Sequence, residues 1–124
     1  MTSLIESNRV SFNKVNDSKP RVVVKIGSSL LANSEHLTPS YAFIHGLLSD
    51  IAMLKKKGYE VILTSSGSVA LGLNSISSTP EKASVTDKQA AAACGQPILM
   101  HAYKQVALEY GFDIAQVLFT LEDL

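Results

Sequence analysis

Two short stretches hold the residue types that handle anions. The first is Lys25 followed by Gly27-Ser28-Ser29, and the second is Thr64-Ser65-Ser66-Gly67-Ser68. A lysine ammonium is a compact positive charge, glycine lets a ligand approach the backbone, and serine hydroxyls both donate and accept. Together they suit an anion, a phosphate first of all. Plainer roles fit the same residues. Lys25 is then an edge residue reaching solvent, and Ser65-Ser66-Gly67 an ordinary turn with an N-cap serine.

The elements that must position these stretches are legible in the pattern around them. Val22-Val23-Val24 is a β-branched run suited to a strand buried on both faces, as in a parallel sheet between helices. A charge at the end of such a strand is costly without a partner or a polar crevice. Thr38-Pro39 reads as a helix start, with threonine as cap and proline in the first turn. Ile44, Leu47, Leu48, Ile51 and Leu54 then follow at spacings of three and four, which makes one apolar helix face. Lys55-Lys56-Lys57 oppose the partial negative charge of the helix end, and Gly58 stops it. Val61-Ile62-Leu63 is a second buried strand. A strand, helix, strand unit crosses over right-handedly, so the two strands run parallel and both polar stretches emerge at one sheet edge.

The rest of the chain predicts further α/β structure. Val69-Ala70-Leu71 opens a short helix ending near Gly72 or Asn74, and 74–85 is a surface loop. Thr86 or Asp87 caps a helix over Lys88–Cys94. Gly95-Gln96-Pro97 interrupts it, and a second helix runs from Pro97 to Tyr110 with Ile98, Leu99, Ala102, Val106 and Leu108 mostly inward. Gly111 ends that helix, Ile114–Leu118 forms a third strand, and Leu121–Leu124 opens another segment. Residues 1–20 are rich in Ser, Asn, Asp and Lys and read as a flexible arm, with a short strand through Val10, Phe12 and Val15.

Length and composition bound the function. The 124 residues make one domain or part of one. A formal net charge of zero argues against a general nucleic-acid binder. One cysteine, Cys94, allows no internal disulfide and suits the cytoplasm. No apolar run approaches the ~20 residues of a membrane span, and no apolar signal opens the chain. His36, His45 and His101 lack metal-ligand spacing. Cys94 reads as a small packed residue in an alanine-rich helix. Neither a P-loop nor a dinucleotide fingerprint is present, because Gly27, Gly67 and Gly72 have the wrong companions.

Four stretches together resemble the amino-acid kinase family, in particular its branch that phosphorylates glutamate. They are Val24-Lys25-Ile26-Gly27-Ser28-Ser29, Thr64-Ser65-Ser66-Gly67-Ser68-Val69-Ala70, Lys88-Gln89 through Ala92-Ala93-Cys94-Gly95-Gln96, and Gln116 through Asp123. The resemblance covers 21–124, and the Lys-Gln…Gly-Gln stretch ties it to that branch. It departs at Ser68, where alanine is common, at Asp87, where serine is common, and at Leu121, where arginine is common.

The resemblance implies an α/β fold, a three-layer α/β/α arrangement with a mainly parallel sheet, here truncated. Residues 1–20 would be the arm and 21–124 the N-terminal, amino-acid-substrate half of the kinase domain. The implied reaction transfers phosphate from ATP, accompanied by Mg2+, to the γ-carboxylate of L-glutamate, the first step towards proline. By position Lys25 is the catalytic lysine on the transferring phosphoryl group, Gly27 and Ser28 share the ATP phosphate site, and Ser66 and Gly67 bind glutamate. No metal ligand of the protein is implied here. Proline feedback inhibition, a homo-oligomer and the cytoplasm are further expectations, with neither nucleic acid nor membrane as partner. The family's later Glu-Asn-Asp-type segment and its nucleotide-binding half have no counterpart in 1–124, nor does the RNA-modification-type domain of many bacterial members. An incomplete, inactive fragment is therefore expected. The alternatives are a non-catalytic copy that associates with full-length subunits, and another small-molecule kinase of the same family.

Overall fold

The computed structural model describes residues 5–6, 9–10, 19–33 and 37–123, the first two pairs by backbone alone. Strands β1 (Ile5–Glu6) and β2 (Arg9–Val10) pair antiparallel. Phe12 and Val15, expected to share a strand with Val10, lie outside the described residues. The body of the fold begins with β3 (Arg21–Ile26), followed by the single helical turn α1 (Ser28–Leu31) and helix α2 (Tyr41–Lys56). Strand β4 (Glu60–Ser65) then leads into the short helix α3 (Ser68–Gly72) and a 3-10 turn over Leu73–Ile76. The long helix α4 (Val85–Glu109) follows, and a 3-10 turn over Leu121–Asp123 comes last.

Strands β3 and β4 pair in parallel, as the crossover through α2 requires, with Val22 opposite Val61, Val24 opposite Leu63 and Ile26 opposite Ser65. The ladder opens on an ion pair, with Arg21 Nε donating to Glu60 Oε2 at 2.9 Å. Ile26 belongs to one core with Leu31, Ile44, Leu48, Ile51, Leu71, Leu99, Ala102, Tyr103 and Val106, and Val24, Val61 and Leu63 pack against that core. The apolar face expected for α2 is thus the face that is buried. Both long helices end as glycine stops predict. After α2, Gly58 N bonds Lys55 O and Tyr59 N bonds Leu54 O; after α4, Gly111 N bonds Leu108 O and Phe112 N bonds Ala107 O. These are paired Schellman bonds.

The valine run differs from expectation. Side chains alternate along β3, so Val22 and Val24 turn to the core while Val23 is 63% exposed, beside Ile62 at 38%. Among the described residues the helices cover one sheet face, and β-branching alone does not tell a doubly covered strand from a singly covered one. Ser28 and Ser29 of the first polar stretch join Leu30 and Leu31 in one helical turn, which carries Leu31 fully into the core. Helix α2 starts after Ser40 rather than at Thr38, since Pro39 is held in a bridge to Ala32.

Helix α4 is one helix where two were expected. Pro97 sits inside it, with no break at Gly95. Proline removes a backbone donor, which orphans the carbonyl of the residue four before it. That residue is Ala93, and both Ala93 and Pro97 are exposed, so water can take the freed carbonyl. The cap is Ser84, not Thr86 or Asp87. Asp87 N donates to Ser84 Oγ at 3.1 Å and Ser84 N donates to Asp87 Oδ2 at 2.9 Å. This is a reciprocal capping box. The buried stripe runs through Ala91, Gly95, Leu99, Ala102, Tyr103, Val106 and Ala107. Ile98 and Leu108 stand outside it, and Cys94, expected to be packed, is exposed. Residues 114–118 form no strand: they make no ladder with β3 or β4, and Val117 and Leu118 are exposed. Apolar composition favours a strand only where a partner edge accepts it.

Candidate functional site

The site begins where the β3–β4 ladder ends. Lys25 stands opposite Thr64, and Ile26 opposite Ser65. One step further, Ser66 N donates to Ile26 O at 3.3 Å, which ties the second polar stretch to the end of the first strand. Lys25 and Thr64 are exposed and share the open sheet face; Ser65 turns partly inward. The two stretches expected at one edge are neighbours there.

Gly67 is the pivot of the second stretch. It is the N-cap of α3 with φ 121° and ψ −9°, a backbone region where a side chain is strained. It is buried, and a methyl built on it would lie 3.5 Å from Leu31 Cβ and 3.7 Å from Ser28 Cα. Gly67 therefore abuts α1 directly, which brings Gly27-Ser28 and Ser66-Gly67 against each other. Leu71 N closes the first turn of α3 onto Gly67 O at 3.2 Å. Gly27, Ser28 and Ser66 are exposed, so their polar groups remain open to a ligand.

The floor beneath these loops comes from α4, which sequence reasoning missed. Tyr103 is 2% exposed, and its buried hydroxyl completes no hydrogen bond among the described residues. Burial holds that phenol above its ordinary pKa, with Ser65 acting weakly the other way. Gly95 lies directly on the Ser68 backbone and Gly72 on that of Ala91. The one sequence signal was a glycine inside an alanine-rich helical pattern, where it costs stability unless a close approach needs it.

Other features stay outside the site. Among the described residues, no three His, Cys, Asp or Glu side chains stand close enough to hold a metal. His45 pairs with Glu109 at 3.6 Å and sets its ring edge-on to Tyr110, joining α2 to the end of α4. His36 lies outside the described residues. A surface hollow of about 210 Å³ is lined by Met100, His101, Lys104, Ile114 and Gln116, none of which belongs to the site. No helix among the described residues is long and apolar enough to cross a membrane.

A parallel strand–helix–strand unit whose polar loops meet at the carboxyl edge of the sheet defines an α/β protein. Residues 20–124 match the amino acid kinase family, and the chain belongs to that family. It is 45% identical over 104 residues to the glutamate 5-kinase of Trichlorobacter lovleyi, covering 84% of this chain and 27% of that protein. Identity to the glutamate 5-kinase of Clostridium tetani is 41% over 103 residues, covering 83% and 38%. With that of Clostridium acetobutylicum it is 40% over 104 residues, covering 84% and 39%. The chain thus spans between 27% and 39% of the length of these curated relatives.

Proposed function

We propose that this chain supplies the carboxylate side of an ATP-dependent kinase that phosphorylates the γ-carboxylate of L-glutamate. The observation that carries the proposal is the meeting of Lys25, Gly27-Ser28 and Ser66-Gly67 at one sheet edge, fixed by the parallel register and the Ser66–Ile26 bond. A γ-carboxylate with a pKa of ~4.3 is already ionised at neutral pH, so the reaction needs no general base. It needs two anions held together and their developing charge neutralised. In this reading the Lys25 ammonium holds the transferring phosphoryl group. The Gly27 backbone and the Ser28 group line the phosphate side. The Ser66 hydroxyl and the Gly67 backbone receive glutamate. Magnesium enters with ATP as co-substrate. Family membership and the names of the relatives support a kinase acting on glutamate; the reading adds ATP as the donor, proline biosynthesis as the pathway and the cytoplasm as the compartment.

In the same reading, these 124 residues form one wall of the site. Positioning dominates phosphoryl transfer, so one wall alone retains little acceleration. The purified chain with ATP, magnesium, glutamate and hydroxylamine is expected to form no γ-glutamyl hydroxamate above a Lys25→Ala control. The decisive test is a chimera in which 20–124 replaces the matching segment of the Clostridium tetani kinase. It should form hydroxamate from glutamate, and Lys25→Ala should lower its turnover about 10²–10³-fold, as loss of a preorganised charge does. Because Lys25 is exposed, stability should change by no more than about 0.5 kcal/mol. A chimera indifferent to glutamate, or to Lys25→Ala, would overturn the reading.

A further inference from the structure

Three backbone contacts run in series from the phosphate side of the edge to the long helix. Gly67 abuts Ser28 of α1, Gly95 of α4 lies on the carbonyl of Ser68, and Gly72 of α3 lies on the carbonyl of Ala91. The last two are reciprocal: a methyl on Gly72 would stand 2.8 Å from Gly95 N, and one on Gly95 would stand 2.8 Å from Gly72 N, each running into the opposing carbonyl. At this crossing no side chain separates α3 from α4. Helices with side chains at their contact normally keep their axes 8–10 Å apart. The glycine pair removes that spacer along the single turn of α3, from Ser68, one residue after Gly67, to Gly72 at its end. Ser68 follows directly on Ser66-Gly67, and α4 supports it there through Gly95.

We infer that Gly95 and Gly72 are positioning residues for the Ser66–Gly67 loop: their contact sets the depth of that loop against Lys25 and Ser28, and thereby its fit to the amino-acid substrate. The inference rests on the proposed glutamate site, but its first test does not. Two amides report the loop without any ligand, Ser66 on Ile26 O and Leu71 on Gly67 O. In Gly95→Ala, and separately in Gly72→Ala, these amides should exchange with solvent about tenfold faster or more. The β3–β4 ladder and the interior amides of α2 should keep their protection, since neither touches the crossing.

Unchanged exchange at Ser66 and Leu71 in either variant overturns the inference. So does loss of protection throughout the chain or failure of both variants to fold, because the pair would then hold the whole fold rather than the loop. The second test uses the chimera with the Clostridium tetani kinase. Gly95→Ala should raise the glutamate KM about tenfold while leaving the ATP KM and kcat within about twofold, the pattern of lost ground-state binding. Faster exchange with an unchanged glutamate KM would make the contact merely structural and overturn the inference. If the unaltered chimera ignores glutamate, the reading of the site fails, while the exchange data still decide whether the glycine pair sets the loop.

Discussion

The same glycine-to-alanine change should have opposite signs at two places in this chain. At Gly67 the backbone sits at φ 121°, and the added methyl would meet Leu31 Cβ at 3.5 Å, an ordinary contact. The penalty is therefore conformational, about 1–3 kcal/mol for a side chain forced into a sparsely populated region. At Gly46 the residue lies inside α2, is exposed, and has nothing within 4 Å of the new methyl. Alanine there should stabilise by about 0.5–1 kcal/mol, because glycine loses more backbone freedom on entering a helix. Urea unfolding followed by circular dichroism should separate the variants on either side of wild type, with a common slope. In melting temperature each kcal/mol amounts to about 4 °C for a chain of this size. If Gly67→Ala is neutral or stabilising, the loop does not turn through a left-handed glycine. The contact between Gly67 and α1 would then lose its basis, leaving the two polar loops joined only through the strand register and the Ser66–Ile26 bond.

Two further variants probe the floor and the frame. Tyr103→Phe removes a buried hydroxyl that has no partner among the described residues, so it should unfold at equal or higher urea. Since burial raises the native phenol's pKa, the unfolded chain ionises first above about pH 10; wild-type stability should fall there with rising pH and Tyr103→Phe should lack that part of the fall. Equal alkaline slopes would refute the burial argument. Ser84→Ala should cost about 1 kcal/mol of stability through loss of the α4 cap, while Ser84→Asp should keep most of it. Hydrogen bonds from the Ser84 backbone and side chain hold the Asp87 carboxyl below its usual range; the backbone bond survives in Ser84→Ala, so only the side-chain part of the difference is complete above about pH 4 and shrinks on further acidification.

What was legible in the sequence was local and periodic. The three-and-four spacing from Ile44 to Leu54, the glycines at 58 and 111 and the two apolar runs 22–24 and 61–63 each carry their own physics, and the buried face of α2, the two helix ends and the two paired strands stand where expected. What was not legible depended on partners. Ile114–Leu118 has strand composition but no paired edge. Pro97 reads as a break because the rule for proline counts a lost hydrogen bond, and the sequence does not say that Ala93 faces water. Val23 has the same β-branching as Val22 and Val24, yet only alternation against a one-sided helix layer sends it outward. Ser84 and Asp87 form a capping pair spaced by three, hidden by the equally plausible caps beside them. At the site, the two polar stretches were visible as motifs, and the crossover rule brought them together. Their support from α4 was invisible, because a glycine in a helix announces a close approach without naming the backbone it meets.

The hydrophobic core and the site are set by a single choice of register. Along β3 the residues facing the helices are Val22, Val24 and Ile26, and those facing away are Arg21, Val23 and Lys25. Because the side-chain period of a strand is two, a slip of one residue would exchange these sets completely. Ile26 would leave the core and Lys25 would enter it, where an unpaired ammonium is far more costly than an exposed isoleucine. The pairing of Ile26 with Ser65 would be lost too, and with it the bond from Ser66 N to Ile26 O that anchors the second loop. The free energy that holds Lys25 beside the loops thus comes from apolar burial on the opposite face of the sheet. Under the proposed function, binding energy from the ligand would not have to position Lys25 and would remain available for holding the reacting groups together.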